Sequence, residues 1–105
     1  MARVIWTEPA LIDLDEIAEY IAFDKPSAAR KLVRDVLKSV KRLKQFPKSG
    51  KCPPELQNTD CLKVIVGPCR IFYRIDKNRV YILYVMRSER NLRLYILKNR
   101  TNKSS

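Results

Sequence analysis

Residues 67–87 constrain the fold of this chain more than any other stretch. Gly67-Pro68-Cys69-Arg70-Ile71-Phe72-Tyr73-Arg74-Ile75 and Val80-Tyr81-Ile82-Leu83-Tyr84-Val85-Met86-Arg87 flank the polar segment Asp76-Lys77-Asn78-Arg79. Two runs rich in β-branched and aromatic residues around a short break spell a β-hairpin. Arginines lie inside these strands, where each must reach water or an anion, because a cation buried without a partner is too costly. The expected hairpin therefore has one apolar face and one basic face. With Lys77 and Asn78 as a two-residue loop, Asp76 stands opposite Arg79. Ile71, Tyr73 and Ile75 then share a face with Val80, Ile82 and Tyr84, while Arg70, Phe72 and Arg74 share the other with Tyr81, Leu83 and Arg87. A three-residue loop would mix the two sets, so charge segregation favours the two-residue loop. The basic face reads equally as a solvated sheet surface or as a binding site.

Charge extends that pattern to the whole chain. There are 22 Lys and Arg against 11 Asp and Glu, a net of +11 over 105 residues. Residues 1–24 hold Arg3 against six acids (Glu8, Asp13, Asp15, Glu16, Glu19 and Asp24), a net of −5. Residues 25–105 hold the other 21 bases and five acids, a net of +16. A field of that strength favours a polyanion, either nucleic acid or an acidic protein segment. The length suits one domain with a real core, and an apolar content of 46% is that of a globular protein. No apolar run approaches a membrane span, and the N-terminus lacks the order of a signal peptide, so a cytoplasmic protein without membrane partners is expected.

Composition also narrows the chemistry. Cys52, Cys61 and Cys69 form no C-x-x-C pair, and there is no histidine. No metal site or cofactor is expected, since structural zinc needs about four nitrogen or sulfur ligands. An odd cysteine count argues for reduced thiols. Without histidine the usual general base near neutral pH is missing, which leaves Arg, Lys, Tyr, Asp and Glu for any catalysis.

The order of elements follows from periodicity. Arg3-Val4-Ile5-Trp6 reads as a strand. Thr7 is a helix cap followed by Glu8 and Pro9 in the first turn. Leu11, Leu14, Ile17, Ala18 and Ile21 recur at helical spacing, with acids around the rest of the circumference. Asp24-Lys25-Pro26-Ser27 interrupts the helix, and Asp24 and Ser27 both qualify to cap the next one. Ala29, Leu32, Val33, Val36, Leu37, Val40 and Leu43 then form a long stripe opposite Arg30, Lys31, Arg34, Lys38, Lys41, Arg42 and Lys44. Phe46-Pro47 ends that helix. The short connector predicts an antiparallel helical hairpin, one helix acidic and the other basic. A loop with Gly50, Pro53 and Pro54 leads to a strand over Cys61–Val66. The hairpin follows, and Ser88 is placed to cap a last short helix carrying Leu92, Tyr95 and Ile96. The predicted class is α+β: a β-α-α-β-β-β order with the helical hairpin on one face of a small, mostly antiparallel sheet. Residues 1–97 form the expected single domain, and 98–105 a flexible basic tail.

The chain resembles toxins of the RelE/ParE superfamily from bacterial type II toxin–antitoxin modules, closer to the ParE-like branch. The resemblance runs from about Val4 to Leu97. It rests on Trp6-Thr7-Glu8-Pro9-Ala10 leading into Asp13-Leu14-Asp15-Glu16-Ile17-Ala18-Glu19-Tyr20-Ile21. Pro26-Ser27-Ala28-Ala29, the Leu43-to-Gly50 segment and Gly67–Ile75 complete it. It implies a cytoplasmic toxin neutralised by a cognate acidic antitoxin, with DNA gyrase as target if the chain follows the ParE-like branch. RelE-like members are instead ribosome-dependent mRNA endonucleases. By position, Arg70 and Arg90 match two arginines of the nuclease set, and Tyr95 lies one residue out of register with its tyrosine. Only Lys63 stands near the family's paired lysines, and the histidine used by some relatives is absent.

Chemistry weighs against cleavage. Attack by a ribose 2′-hydroxyl needs a proton acceptor, a proton donor and stabilisation of charge on phosphorus, and arginine supplies only the last. Lys63 or Tyr95 would need a strongly shifted pKa to act as base. Arg90 reads equally as an ion-pair partner of Glu89 or of the acidic first helix, and Tyr95 as a core ring with a wet hydroxyl. The favoured reading is a non-enzymatic gyrase inhibitor that contacts its target through Arg70, Arg74, Arg87 and Arg90 and its antitoxin through Arg30, Arg34 and Lys38. The alternative is an mRNA endonuclease using Arg70, Arg90, Tyr95 and Lys63, with ribosome and mRNA as partners. A third is a general nucleic-acid-binding module driven by net charge.

Overall fold

The structure is a computed structural model that describes residues 1–54, 60–88 and 99–100. Strand β1 (Arg3–Trp6) leads into helix α1 (Glu8–Asp24) and helix α2 (Pro26–Arg42). Strands β2 (Cys61–Val66), β3 (Cys69–Asp76) and β4 (Arg79–Arg87) follow as a meander. The sheet order is β1-β4-β3-β2, with β1 parallel to β4 and the other pairs antiparallel. This is the α+β, β-α-α-β-β-β arrangement expected from the sequence. The final helix expected after Ser88 falls on residues outside the described ones, apart from Asn99 and Arg100, which are helical.

Local chemistry sets the element ends. The Thr7 hydroxyl accepts from the Ala10 N–H at 3.4 Å and donates to the Ile82 carbonyl at 2.6 Å. One side chain thus caps α1 and ties its start to the sheet. A single residue, Lys25, separates the helices, so it is the C-cap of α1 and the N-cap of α2 at once. Neither Asp24 nor Ser27 caps α2, in contrast to expectation, because the one-residue connector puts Lys25 at the cap, where its carbonyl accepts from Ala28 and Ala29. Pro26 fits the first turn, where its missing N–H costs no bond. Helix α2 ends at Arg42, short of Phe46-Pro47, and Leu43 closes it as C-cap.

The helices cover one face of the sheet. Ala10 and Leu14 from α1 and Leu32, Val36 and Val40 from α2 pack with Ile71, Tyr73, Val80, Ile82 and Val85. The Tyr73 hydroxyl, buried under this layer, donates to the Pro47 carbonyl at 2.7 Å and accepts from the Gly50 N–H at 2.9 Å. Position 50 requires glycine there, since a Cβ would meet that hydroxyl at 2.5 Å and the Lys63 carbonyl at 2.8 Å. Burial raises the Tyr73 pKa, so the phenol keeps the proton it donates.

The hairpin has the expected turn, with Asp76 opposite Arg79, and Lys77 adopts a left-handed φ of 58°. Its far half departs from expectation. Tyr73 pairs with Ile82 but Phe72 pairs with Tyr84, so β4 carries one extra residue, Leu83, as a bulge. The bulge turns Tyr84 away from the helices to stack on Phe72, centroids 6.0 Å apart, and puts Val85 into the helix-side core. Arg87, opposite Cys69, also changes face and lies over the Tyr20 ring of α1 at 4.2 Å.

Asp13 of α1 holds the bulge. Its carboxylate accepts from the Val85 N–H at 3.1 Å and binds Arg100 through both oxygens, at 2.6 and 3.3 Å. The same guanidinium donates to the Leu83 carbonyl at 3.3 Å and lies 4.7 Å from the Tyr84 ring centroid. Arg100 belongs to the stretch read from sequence as a tail. Replacing Asp13 with Ala strands a mostly buried guanidinium and a backbone donor together, so a loss of about 2–3 kcal/mol is expected. Urea denaturation of Asp13→Ala checks this; a loss below about 0.5 kcal/mol contradicts it.

Candidate functional site

The face of the sheet away from the helices was expected to be basic and open. Its centre is instead a second apolar layer: Cys61, Phe72, Tyr81, Leu83, Tyr84 and Met86 are all buried. The arginines persist because their aliphatic stems pack with apolar neighbours while the guanidinium finds a polar or aromatic contact. Arg74 lies 4.9 Å over the Tyr81 ring and 3.9 Å from the Asp76 carboxylate. Arg70 is half-buried opposite Ile65 on one side and Met86 on the other.

Register brings Lys63 to the same face. It pairs with Phe72, between the Ile65–Arg70 and Cys61–Arg74 pairs. Its backbone is doubly bonded to Lys51, at 2.9 and 2.8 Å, which closes the edge of β2 locally. Of the sequence-predicted residues, Lys63, Arg70 and Arg74 thus come together. Arg87 does not, because the bulge sends it to the helix side. Arg90 and Tyr95 lie outside the described residues.

One thiol in this layer is strongly shifted. Burial pushes the Cys61 thiol up to about 12, with the nearby Cys52 acting in the same direction. A thiol so protonated is neither a base nor a nucleophile near neutral pH. Among the described residues no group of three or more potential metal ligands converges, and no helix is long and apolar enough to cross a membrane.

A separate concavity lies between the helices. A groove of about 590 Å³ runs along the α1–α2 seam, floored by Ala18, Ala22, Ala29, Val33 and Leu37. Its rim carries Arg30 and Arg34, two of the three residues proposed from sequence to contact an acidic partner, and on the α1 side the acid Glu19. The third, Lys38, is exposed on the same helix but does not line the groove. Small residues on α1 open this groove, a signal present in the sequence as alanines at i and i+4.

Comparison with known proteins fits this architecture. The sequence profile of the ParE toxin of type II toxin–antitoxin systems, parDE, matches residues 4–92. The chain belongs to the ParE toxin family of type II toxin–antitoxin systems. Protein Y4kP of Sinorhizobium fredii, which carries a provisional toxin name, is 40% identical over 84 residues, covering 80% of this chain and 85% of its own. Toxin RelE2 of Caulobacter vibrioides is 30% identical over 92 residues, covering 86% and 99% respectively. Among solved structures, the chromosomal ParDE system from P. aeruginosa superposes with a TM-score of 0.70 at 28% identity, over 85% of this chain and 98% of the other. The RelBE2 toxin–antitoxin complex of Mycobacterium tuberculosis shares the fold, with a TM-score of 0.55 at 23% identity over 82% and 96% of the two chains.

The cysteine environments make a direct check of this face. Cys52 is exposed, whereas Cys61 and Cys69 are buried. A thiol reagent at pH 8 should consume one thiol quickly in the folded protein and three after denaturation; fast reaction of two or more contradicts the buried layer. Alkaline stability has a defined sign. The folded pKa of Cys61, about 12, exceeds its ordinary value of 9.0. Its contribution is complete below pH 9 and is lost as pH rises towards 12, because the unfolded chain releases the proton first. The urea midpoint should fall across that window, and less steeply in Cys61→Ala.

Proposed function

We propose that this chain is a type II toxin that inhibits DNA gyrase by binding it, without catalysing a reaction, and that an acidic antitoxin neutralises it in the cytoplasm. One observation carries the reading. The sheet face that would hold RNA in a nuclease is filled by a buried aromatic and aliphatic layer in which Arg70 and Arg74 are embedded. Cys61, the titratable group with the largest shift there, is shifted away from proton transfer. Membership of the ParE family supports the same target.

The antitoxin reading rests on the groove between α1 and α2. An apolar floor rimmed by Arg30 and Arg34 suits an amphipathic segment whose carboxylates meet those cations and Lys38. A segment that orders on binding loses conformational freedom, so burial and charge must both contribute. A ribosome-dependent endonuclease is the second reading. It is favoured by the convergence of Lys63, Arg70 and Arg74 and by the likeness to a relative named toxin RelE2.

Purified gyrase separates the two. A stoichiometric excess of the chain should abolish supercoiling or trap a cleaved complex, and the product of a neighbouring gene should restore activity in a salt-sensitive way. Intact supercoiling, with toeprints showing cleavage in the ribosomal A site, would replace the first reading with the second.

A further inference from the structure

The groove and the sheet leave one surface unused, the outer side of α1. Ile12, Glu16, Tyr20 and Phe23 recur at helical spacing on the side of α1 turned from the core residues Ala10 and Leu14, and Glu19 marks the border with the groove, which it also lines. Phe23 is 97% exposed and Tyr20 is 65% exposed, while Glu16, Glu19, Asp15 and Asp24 surround them in solvent. Exposed aromatics three residues apart on one helix face are unusual for a surface with no partner. Tyr20 is also held in place: the Arg87 guanidinium, brought to this side by the bulge, stacks on its ring at 4.2 Å. An aromatic ring fixed before binding loses little freedom in a complex, which is the character of an interface anchor.

Charge says what kind of partner fits. This face belongs to the −5 segment of a chain whose remainder is +16. It repels nucleic acid, and it repels the acidic segment proposed for the α1–α2 groove. We infer that the outer face of α1 is the surface through which the toxin engages its protein target. The target site is a basic protein surface with an apolar pocket for Phe23 and the edge of Tyr20. The inference rests on the reading of a protein target, gyrase, and assigns antitoxin and target to two different sides of the helical hairpin.

The test uses the full chain and variants at exposed positions. Phe23→Ala removes a side chain with almost no contacts, so its thermal midpoint should stay within about 2 °C of the parent. It should need tenfold or more protein for equal inhibition of gyrase supercoiling, the loss typical of truncating an aromatic anchor. Glu16→Lys with Glu19→Lys should weaken inhibition and flatten its dependence on salt. Growth arrest on induced expression should fall in parallel in both variants. If the parent inhibits gyrase and Phe23→Ala inhibits equally well, this inference fails and the gyrase reading stands. If the parent arrests growth but leaves gyrase active, the gyrase reading fails, and arrest undiminished by Phe23→Ala overturns the surface as well. A parent that neither inhibits gyrase nor arrests growth overturns both. Sedimentation showing a dimer that Phe23→Ala dissolves, with arrest intact, makes the face a self-contact and overturns the proposal.

Discussion

The carboxylate of Asp13 is the interaction on which the rest of this structure turns. A β4 strand in strict alternation would leave Tyr84 under the helices and Val85 on the far side. The extra residue Leu83 shifts the register, and the Val85 N–H donates to Asp13. A carboxylate so placed needs a cation, and Arg100 supplies it with two hydrogen bonds. From that point every residue of β4 has the opposite face from the one its alternation predicts. Val85 completes the helix-side core, Tyr84 completes the second one, and Arg87 reaches Tyr20. One helix residue thereby decides the membership of two cores and the position of a surface aromatic.

This also explains which parts of the fold the sequence makes legible. The turn of the hairpin is readable because Asp76 and Arg79 are charged and bracket two polar residues, so any other loop length mixes charge with core. Thr7-Glu8-Pro9 and Pro26 mark helix starts through their backbone chemistry. The bulge leaves no such mark. Val80 to Met86 is an unbroken apolar run, and a one-residue slip inside it exchanges one apolar side chain for another. The signal that could have located it is Asp13 itself, an acid near the sheet-facing side of an otherwise amphipathic helix. The second core was hidden for a related reason. Arg70 and Arg74 read as solvent-facing, yet their stems cover aromatics while the head of Arg74 meets Tyr81 and Asp76. Two of the residues singled out for nuclease chemistry, Arg90 and Tyr95, fall outside the described residues. The target-site and nuclease candidates that can be placed are therefore Lys63, Arg70, Arg74 and Arg87, and three of the four converge.

The one-residue connector at Lys25 gives the hairpin its second property. With so short a link α1 and α2 pack against each other, one face of α1 rich in acids and one of α2 rich in bases. Basic side chains on α2 and the strands extend a field that draws in acidic segments and speeds their encounter. The acids of α1 break that field locally. Small side chains at Ala18, Ala22 and Ala29 keep the seam open as an apolar groove rather than closing it with larger residues. Two surfaces of different chemistry thus lie on one helical hairpin.

A toxin that binds without turnover has a physical requirement that a nuclease does not. It must occupy its target for as long as the target is to stay inactive, so its effect follows residence time, which is set by well-packed anchors more than by charge. Charge on this chain is abundant but screened, with a range of roughly 8 Å at physiological salt. Arginines spread over an open sheet would give fast, short-lived contacts. The arrangement here withdraws Arg70 and Arg74 into a packed layer and spends Arg87 on fixing Tyr20 beside the exposed Phe23. Arg74 and Arg87 thus meet aromatic rings, and the exposed aromatics Tyr20 and Phe23 sit among the acids of α1. In the proposed reading, that division gives capture by electrostatics on one side of the molecule and retention by packing on the other.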